Sequence, residues 1–394
     1  MKDEYDVVVV GAGPGGSIAA RTAAEECDVL LLEKRQEIGS PVRCAEGVKK
    51  MGLEKLIQPD EKWITAEPKC ARIYSPDGTM VELSEALSQA LVGTEVGYVL
   101  ERKLFDRELA KSAARAGAHV MVRTRATGLI MEDDVVQGVK INQLGENFDI
   151  RAKVVIGADG VESKVGRWAG INTSLKLKDI ESCAQYHMTN VDVSEDYCDF
   201  YLGSHAPGGY AWVFPKGNKT ANVGVGVLAS KLNGKRSIEY LDEFVSKNFA
   251  EGQPAELIMG ACPVSDELTS TIANGLMLVG DAAHHCDPLT GGGVINAMEG
   301  GKIAGDVARK AVRENDTSTK VLSEYEATWR ASFGKRLKRN YKAKEFFIRL
   351  SDEKLNKLAQ SIQGAKIEEM TTAGLLKHLL KANPKLLLDI RHLL

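Results

Sequence analysis

Residues 5–33 read YDVVVVGAGPGGSIAARTAAEECDVLLLE, and this stretch decides the fold. The run Val7–Val10 does not alternate with polar residues, as expected of a parallel strand buried on both faces. Gly11-Ala12-Gly13-Pro14-Gly15-Gly16 then fits G-x-G-x-x-G, a helix is expected over 17–27, and a second strand over 28–33 ends on Glu33. In such a unit the first glycine permits the tight turn, the second lets a pyrophosphate reach the backbone, and the last lets helix and strand pack closely. The helix N-terminus adds free N–H groups and the positive end of its dipole. Glu33 lies 20 residues after Gly13, where a carboxylate accepts ribose hydroxyls, with Lys34 beside it. An acid there favours FAD or NAD over NADP.

The rest of the chain must be organised around this unit. At 394 residues it is too long for one ordinary core, so two or three domains are expected. Apolar content of 44% and charged content of 27% describe a globular protein, and a net charge of −3 offers no general affinity for nucleic acid. The charge is uneven: residues 331–394 hold 14 Lys+Arg against 6 Asp+Glu, a local +8 that leaves −11 on residues 1–330. Lys335, Arg336, Lys338, Arg339, Lys342 and Lys344 cluster there, and Leu-rich segments broken at Pro384 follow. A basic helical end on an acidic body suits an anionic surface. The seven cysteines are scattered without a CxxC pair, which argues for a reducing compartment and against a disulfide framework or a metal site. No charged-then-apolar leader precedes the first strand, and no stretch reaches about 18 apolar residues, so a cytoplasmic protein, at most peripheral on the membrane's inner face, is expected.

Outward from the opening unit, 71–84 reads as a hairpin turning at Pro76-Asp77-Gly78, 101–117 as a helix ended by Gly117, 118–130 as a strand, and 151–157 as a buried strand. Antiparallel signals occupy 173–262. In TANVGVGVLA, Val223, Val225 and Val227 share one face while Asn222, Gly224 and Gly226 share the other. A glycine face has nothing of its own to pack, so something must approach it closely. Tyr210, Trp212 and Phe214 alternate in APGGYAWVFPKG, which puts the rings on one face of a strand closed by Pro215. Residues 275–281 return to a buried strand, and the chain is helical beyond 320.

Two further segments choose the cofactor. GADGVESKVGR (157–167) carries Asp159-Gly160, and GDAAHHCDPLTGGGVINA (280–297) carries Asp281, Pro288, Gly291, Gly292, Gly293 and Val294. The second resembles the flavin-contacting motif of the para-hydroxybenzoate-hydroxylase-like flavoproteins. That resemblance implies FAD, with Asp281 on the ribityl chain and the helix opened at Gly291–Val294 facing the flavin. It also places Arg102 and Ala126 at positions that touch the cofactor. His284 and His285, next to Asp281, are candidate proton relays.

Pro207-x-x-Tyr210-x-Trp212-x-Phe214-Pro215 and Cys44-Ala45-Glu46-Gly47 narrow the resemblance to the geranylgeranyl reductase family. It implies an α/β chain: a Rossmann-like FAD-binding domain of the glutathione-reductase type (1–65, 93–172 and 263–330), an antiparallel β-sheet substrate domain (66–92 and 173–262), and a C-terminal helical region (331–394). It further implies hydrogenation of geranylgeranyl C=C bonds, in archaeal-type ether phospholipids or in diphosphate and chlorophyll-type prenyl groups; a flavin monooxygenase is the remaining alternative. Cys44, Ala45 and Gly47 would lie beside the isoalloxazine, with Cys44 a candidate catalytic thiol. Tyr210, Trp212, Phe214, Pro215, Gly224 and Gly226 would wall the prenyl channel, since such a chain is recognised only by shape and apolar contact. No second glycine fingerprint appears, so electrons are expected from an external donor, NAD(P)H or a ferredoxin.

Overall fold

The computed structural model describes residues 2–83 and 97–363. The expected Leu-rich segments around Pro384 lie outside the described residues, as does the stretch 84–96 where two of the expected domain segments meet. Strands Glu4–Val10 and Val29–Leu32 are parallel neighbours, with Val7 opposite Val29. His119–Met121 extends the sheet on one side, and Glu146–Gly157 and then Leu276–Leu278 extend it on the other, all parallel. Val7 and Val9 face one apolar core and Val8 and Val10 the other, which is why the Val run shows no alternation.

The first helix spans Pro14–Ala23 rather than 17–27. Proline is tolerated in a first helical turn, where its missing N–H had no partner to lose. This helix crosses Val294–Glu314 at near backbone contact: a Cβ on Gly301 would lie 2.2 Å from the Gly15 carbonyl oxygen, and one on Gly305 would lie 2.8 Å from that of Ala19. The crossing brings the start of the long helix beside the glycine loop. The expected strand 118–130 is two strands, His119–Met121 and Thr124–Glu132, separated where Arg123 takes φ 52°. Thr124–Glu132 opens an antiparallel meander with Val135–Gln143 and the outer half of Glu146–Gly157. The expected strand over 275–281 is only Leu276–Leu278, followed by a tight helical turn at Gly280–Ala283.

A second sheet runs in the order Gln253–Pro263, Ile180–Thr189, Thr220–Leu228, Tyr210–Gly217, Tyr197–Leu202, Cys70–Tyr74 and Met80–Leu83. Its pairs are antiparallel except Tyr197–Leu202 with Cys70–Tyr74. The hairpin turn forms at Pro76–Gly78, where Asp77 accepts from the Ser75 hydroxyl at 2.6 Å and the Thr79 N–H at 3.0 Å. Val223, Val225 and Val227 pack against Leu241 and Phe244 of the Ser237–Asn248 helix, so the opposite face, with Asn222, Gly224 and Gly226, looks away from that core. Helices Thr319–Trp329, Lys335–Phe347 and Asp352–Gln363 close the described chain, with Tyr325 and Trp329 buried in the first core.

Candidate active site

One cavity of about 1190 Å³ is lined by the glycine loop, the Cys44–Gly47 loop, the Asp281 and Gly291–Val294 segments, and the aromatic strand. That exceeds the roughly 300–1,000 Å³ of an ordinary ligand pocket. In the glycine loop each residue has a separate task. Gly11 takes φ +108°, and a Cβ on it would fall 2.3 Å from the Ala158 carbonyl oxygen; on Gly16 it would fall 1.9 Å from the Gly11 oxygen. A Cβ on Gly13 would meet nothing within 4 Å, so this is where a ligand's backbone approach is open. Glu33 directly follows strand Val29–Leu32, with one oxygen accepting the Ala12 N–H at 3.3 Å and the other the Arg35 N–H at 2.9 Å, and it does not itself line the large cavity. Lys34 pairs with Glu162 at 3.0 Å and lies outside the large cavity, on a smaller pocket shared with Arg123 and Arg125. Ala126 sits in the meander strand just beyond them and also does not line the large cavity.

Asp159 anchors its loop through Oδ2, which accepts the Val165 N–H at 3.0 Å. Its Oδ1 is buried without a partner, and burial raises the carboxyl above its usual range. Gly160 lines the cavity at φ +72°. Asp281 lines it too; its carboxylate accepts no hydrogen bond among the described residues, and burial pushes it up to about 6 against the pull of Arg102. Pro288, Gly291, Gly292, Gly293 and Val294 share that wall. Asp287 holds their loop, accepting the Leu289 and Thr290 N–H groups at 3.0 and 3.2 Å and the Asn340 amide at 2.7 Å. The Val294–Glu314 helix has no side-chain cap, so its first N–H groups are free to face a ligand.

The Cys44–Gly47 loop is held by groups distant in sequence. Gln185 donates to the Cys44 carbonyl at 3.3 Å, and Asn222 donates to the Ala45 carbonyl at 3.3 Å. Glu46, at φ 77°, accepts the Arg102 N–H at 2.8 Å through one oxygen; the other accepts from Lys216 and Asn222, each at 2.7 Å. The Lys216 and Glu46 side chains are 3% and 4% exposed, a buried ion pair completed by the Leu100 carbonyl and Glu101. The Arg102 guanidinium grips Asp106 at 2.7 and 2.8 Å, and Arg102 lines the cavity. Burial pushes the Cys44 thiol up, so it stays protonated, although Arg102 pulls the other way.

Tyr210, Trp212 and Phe214 stand on the cavity wall as the alternation requires, with the Phe200 ring 5.4 Å from both Tyr210 and Phe214. Tyr210 donates from its hydroxyl to the Thr290 carbonyl at 2.5 Å, and the Trp212 N–H donates to Gln185 at 2.7 Å. The glycine face is covered by side chains rather than open to a ligand. Gly224 and Gly226 do not line the cavity, because Trp212 covers one and Glu181 the other: a Cβ on Gly224 would lie 2.3 Å from Trp212 Cζ2, and one on Gly226 2.7 Å from Glu181 Oε2. Pro215 does not line it either, being paired with Ala221 inside the sheet. The two histidines are off the site as well. His284 bonds Ser265 at 2.7 Å and the Thr173 carbonyl at 3.3 Å, and His285 is buried among Tyr325, Trp329 and Phe333. Of the basic cluster, Arg336 and Lys344 turn inward to line the cavity while Lys335, Lys338, Arg339 and Lys342 are exposed.

These residues fit FAD. The open approach at Gly13, the unpaired Asp281 and the uncapped helix start lie on this one cavity, and the partnerless Asp159 Oδ1 is buried between Ala158 and Gly160, which line it. Gly13–Gly16 would hold the pyrophosphate, Glu33 the ribose, and Asp281 with Gly291–Val294 the flavin end.

A profile of the geranylgeranyl reductase catalytic domain matches residues 179–262, and one of the NAD(P)-binding Rossmann-like domain matches residues 9–49. A digeranylgeranylglycerophospholipid reductase of Methanocella arvoryzae is 59% identical over 392 residues, 99% of this chain and 99% of its own. The chain belongs to the geranylgeranyl reductase family. A solved geranylgeranyl bacteriochlorophyll reductase-like protein of Thermoplasma acidophilum superposes with a TM-score of 0.91 at 44% identity, over 100% of both chains. The p-nitrophenol 4-monooxygenase of Pseudomonas putida, at 17% identity and a TM-score of 0.74 over 96% of this chain and 98% of its own, shares the fold alone. The fold expected from the family resemblance, a Rossmann-like domain with a β-sheet partner and a helical C-terminal region, is the fold observed.

The sequence of this family member alone did not point to the roles of Glu46, Lys216, Gln185, Asn222, Asp287 and Glu181. A signal existed for one of them: Asn222 is an amide on the face of Gly224 and Gly226, and buried amides need partners.

Proposed function

We propose that this protein is an FAD-dependent reductase that saturates the C=C bonds of geranylgeranyl chains on archaeal-type ether phospholipids. The observation that carries the reading is the meeting of the aromatic strand with both flavin-side loops: Tyr210 bonds Thr290 beside Gly291, and Phe214 lies against Gly47. An apolar chain lying on those rings is thereby delivered to the flavin end of the groove. Bound FAD supplies hydride. The chain's own residues would supply the rest: the rings would align an alkene that offers no polar handle, and the protonated Cys44 thiol lines the same cavity. An external donor, NAD(P)H or a ferredoxin, supplies the electrons, and anaerobic reduction by each separates them.

Among the described residues no helix is long and apolar enough to cross a membrane. The exposed Lys335, Lys338, Arg339 and Lys342 beside the 42% exposed Phe347 suit contact with an anionic lipid surface, from which a phospholipid tail can enter. Salt-sensitive sedimentation with anionic vesicles supports this contact, and its absence at low salt removes it. Side-by-side turnover of prenyl phospholipid and geranylgeranyl diphosphate tests the substrate: preference for the phospholipid is expected, and exclusive use of the diphosphate overturns the assignment.

A further inference from the structure

Glu181 stands on the cavity side of strand Ile180–Thr189, on the same strand face as Cys183 and Gln185. It is 7% exposed, and among the described residues its carboxylate accepts no hydrogen bond and joins no ion pair. Two glycines leave the space it fills. A Cβ on Gly209 would lie 2.9 Å from its Oε1 and one on Gly226 2.7 Å from its Oε2. Gly226 is the residue paired with Tyr210 on the next strand, so the carboxyl stands in the aromatic wall itself.

An unpaired carboxylate is expensive in an apolar wall, and such a group holds its proton instead. Burial accordingly pushes Glu181 up to about 7, with Lys344 of the Lys335–Phe347 helix pulling it down. The other titratable groups facing it are Tyr210, Cys183 and Cys262. Burial drives Tyr210 and Cys183 well above their ordinary values, so both are far weaker acids near neutrality.

Resting on the prenyl-reductase reading, we propose that Glu181 is the proton donor of the reduction. One alkene carbon takes hydride from the reduced cofactor. The π electrons of the other carbon form a new C–H bond with the Glu181 proton, the carboxyl O–H breaks, and the carboxylate left behind regains a proton from solvent before the next turnover. Gly226 is then small because it seats this acid, whereas a Cβ on Gly209 would already meet the Gly226 carbonyl oxygen at 2.2 Å.

Glu181→Gln keeps the size and removes the acid; Glu181→Asp keeps the acid on a shorter arm. Both variants are expected to bind FAD and to be reduced by dithionite as the wild type is. Anaerobic reoxidation of Glu181→Gln by prenyl phospholipid slows by about 100- to 10,000-fold, the usual worth of a positioned acid, and Glu181→Asp recovers part of the rate. The infrared difference between wild type and Glu181→Gln, taken without substrate so that the Asp281 carboxyl cancels, shows a protonated carboxyl band at pH 6 that fades by pH 8. The proposal is overturned if Glu181→Gln is reoxidised at the wild-type rate, or if the band is absent at pH 6. Wild-type protein that never saturates the lipid removes the underlying reading and the proposal together, an outcome distinct from a variant that matches an active wild type.

Discussion

Phe214 lies so close to Gly47 that a Cβ on Gly47 would stand 2.9 Å from Phe214 Cε2. The aromatic wall and the Cys44–Gly47 loop therefore form one surface, although 167 residues separate them in the chain. Replacing Gly47 with Ala forces the ring to shift while sparing the glycine loop. FAD content should stay near wild type while lipid turnover falls; equal losses of both would contradict this division of labour.

Trp212 reaches Cys44 through Gln185, by bonds of 2.7 and 3.3 Å. Trp212→Phe keeps an apolar ring but strands the Gln185 oxygen. A lost hydrogen bond of about 0.5–1.5 kcal/mol corresponds to a fall of roughly 2- to 10-fold in kcat/KM. Gln185→Leu should mimic it, and the double variant should do little further harm, which a double-mutant cycle measures.

The Lys216–Glu46 pair is buried at 3% and 4% exposure. Lys216→Met leaves the Glu46 carboxylate without its counter-charge and should cost about 3–5 kcal/mol in denaturant unfolding. Adding Glu46→Gln should restore part of that loss. A single variant as stable as wild type would show that the charge is solvated in place.

Gly13 and Gly16 separate binding from folding. Gly13→Ala meets open space and should fold with weakened FAD retention, whereas Gly16→Ala drives a methyl to 1.9 Å from the Gly11 oxygen and should accumulate poorly. Flavin absorbance per folded protein distinguishes the two; full FAD occupancy in Gly13→Ala would remove the pyrophosphate from this position.

This opening unit was the most legible part of the chain, because an unbroken Val run, a glycine turn and an acid at the next strand's end follow from local geometry alone. The aromatic stripe was legible for the same reason, since period-two alternation dictates a shared face. The Gly224 and Gly226 face misled: alternation states that something approaches a glycine, but not whether it is a ligand or a neighbouring strand's side chain. Trp212 and Glu181 supply that contact here. Glu46 and Lys216 were illegible as a pair because 170 residues separate them in the chain.

Stability should carry the mark of Glu181. Its value in the folded protein, about 7, lies above the ordinary 4.5, so the protonated form favours folding. That contribution is fully present below about pH 4.5 and is lost as pH rises through 7, reaching about 3 kcal/mol by linkage. Unfolding midpoints at pH 5 and pH 8 should differ less in Glu181→Gln than in wild type. An unchanged difference would mean that the carboxyl is ionised throughout.

The central claim is that the ring-walled cavity presents a prenyl chain to the flavin. Dithionite-reduced, FAD-loaded protein mixed anaerobically with a digeranylgeranyl glycerophospholipid tests it directly, with flavin absorbance and lipid mass followed together. Flavin reoxidation matched by the gain of a pair of hydrogens per saturated bond is the predicted result. Flavin that stays reduced until oxygen is admitted, with the lipid mass unchanged, would contradict the account.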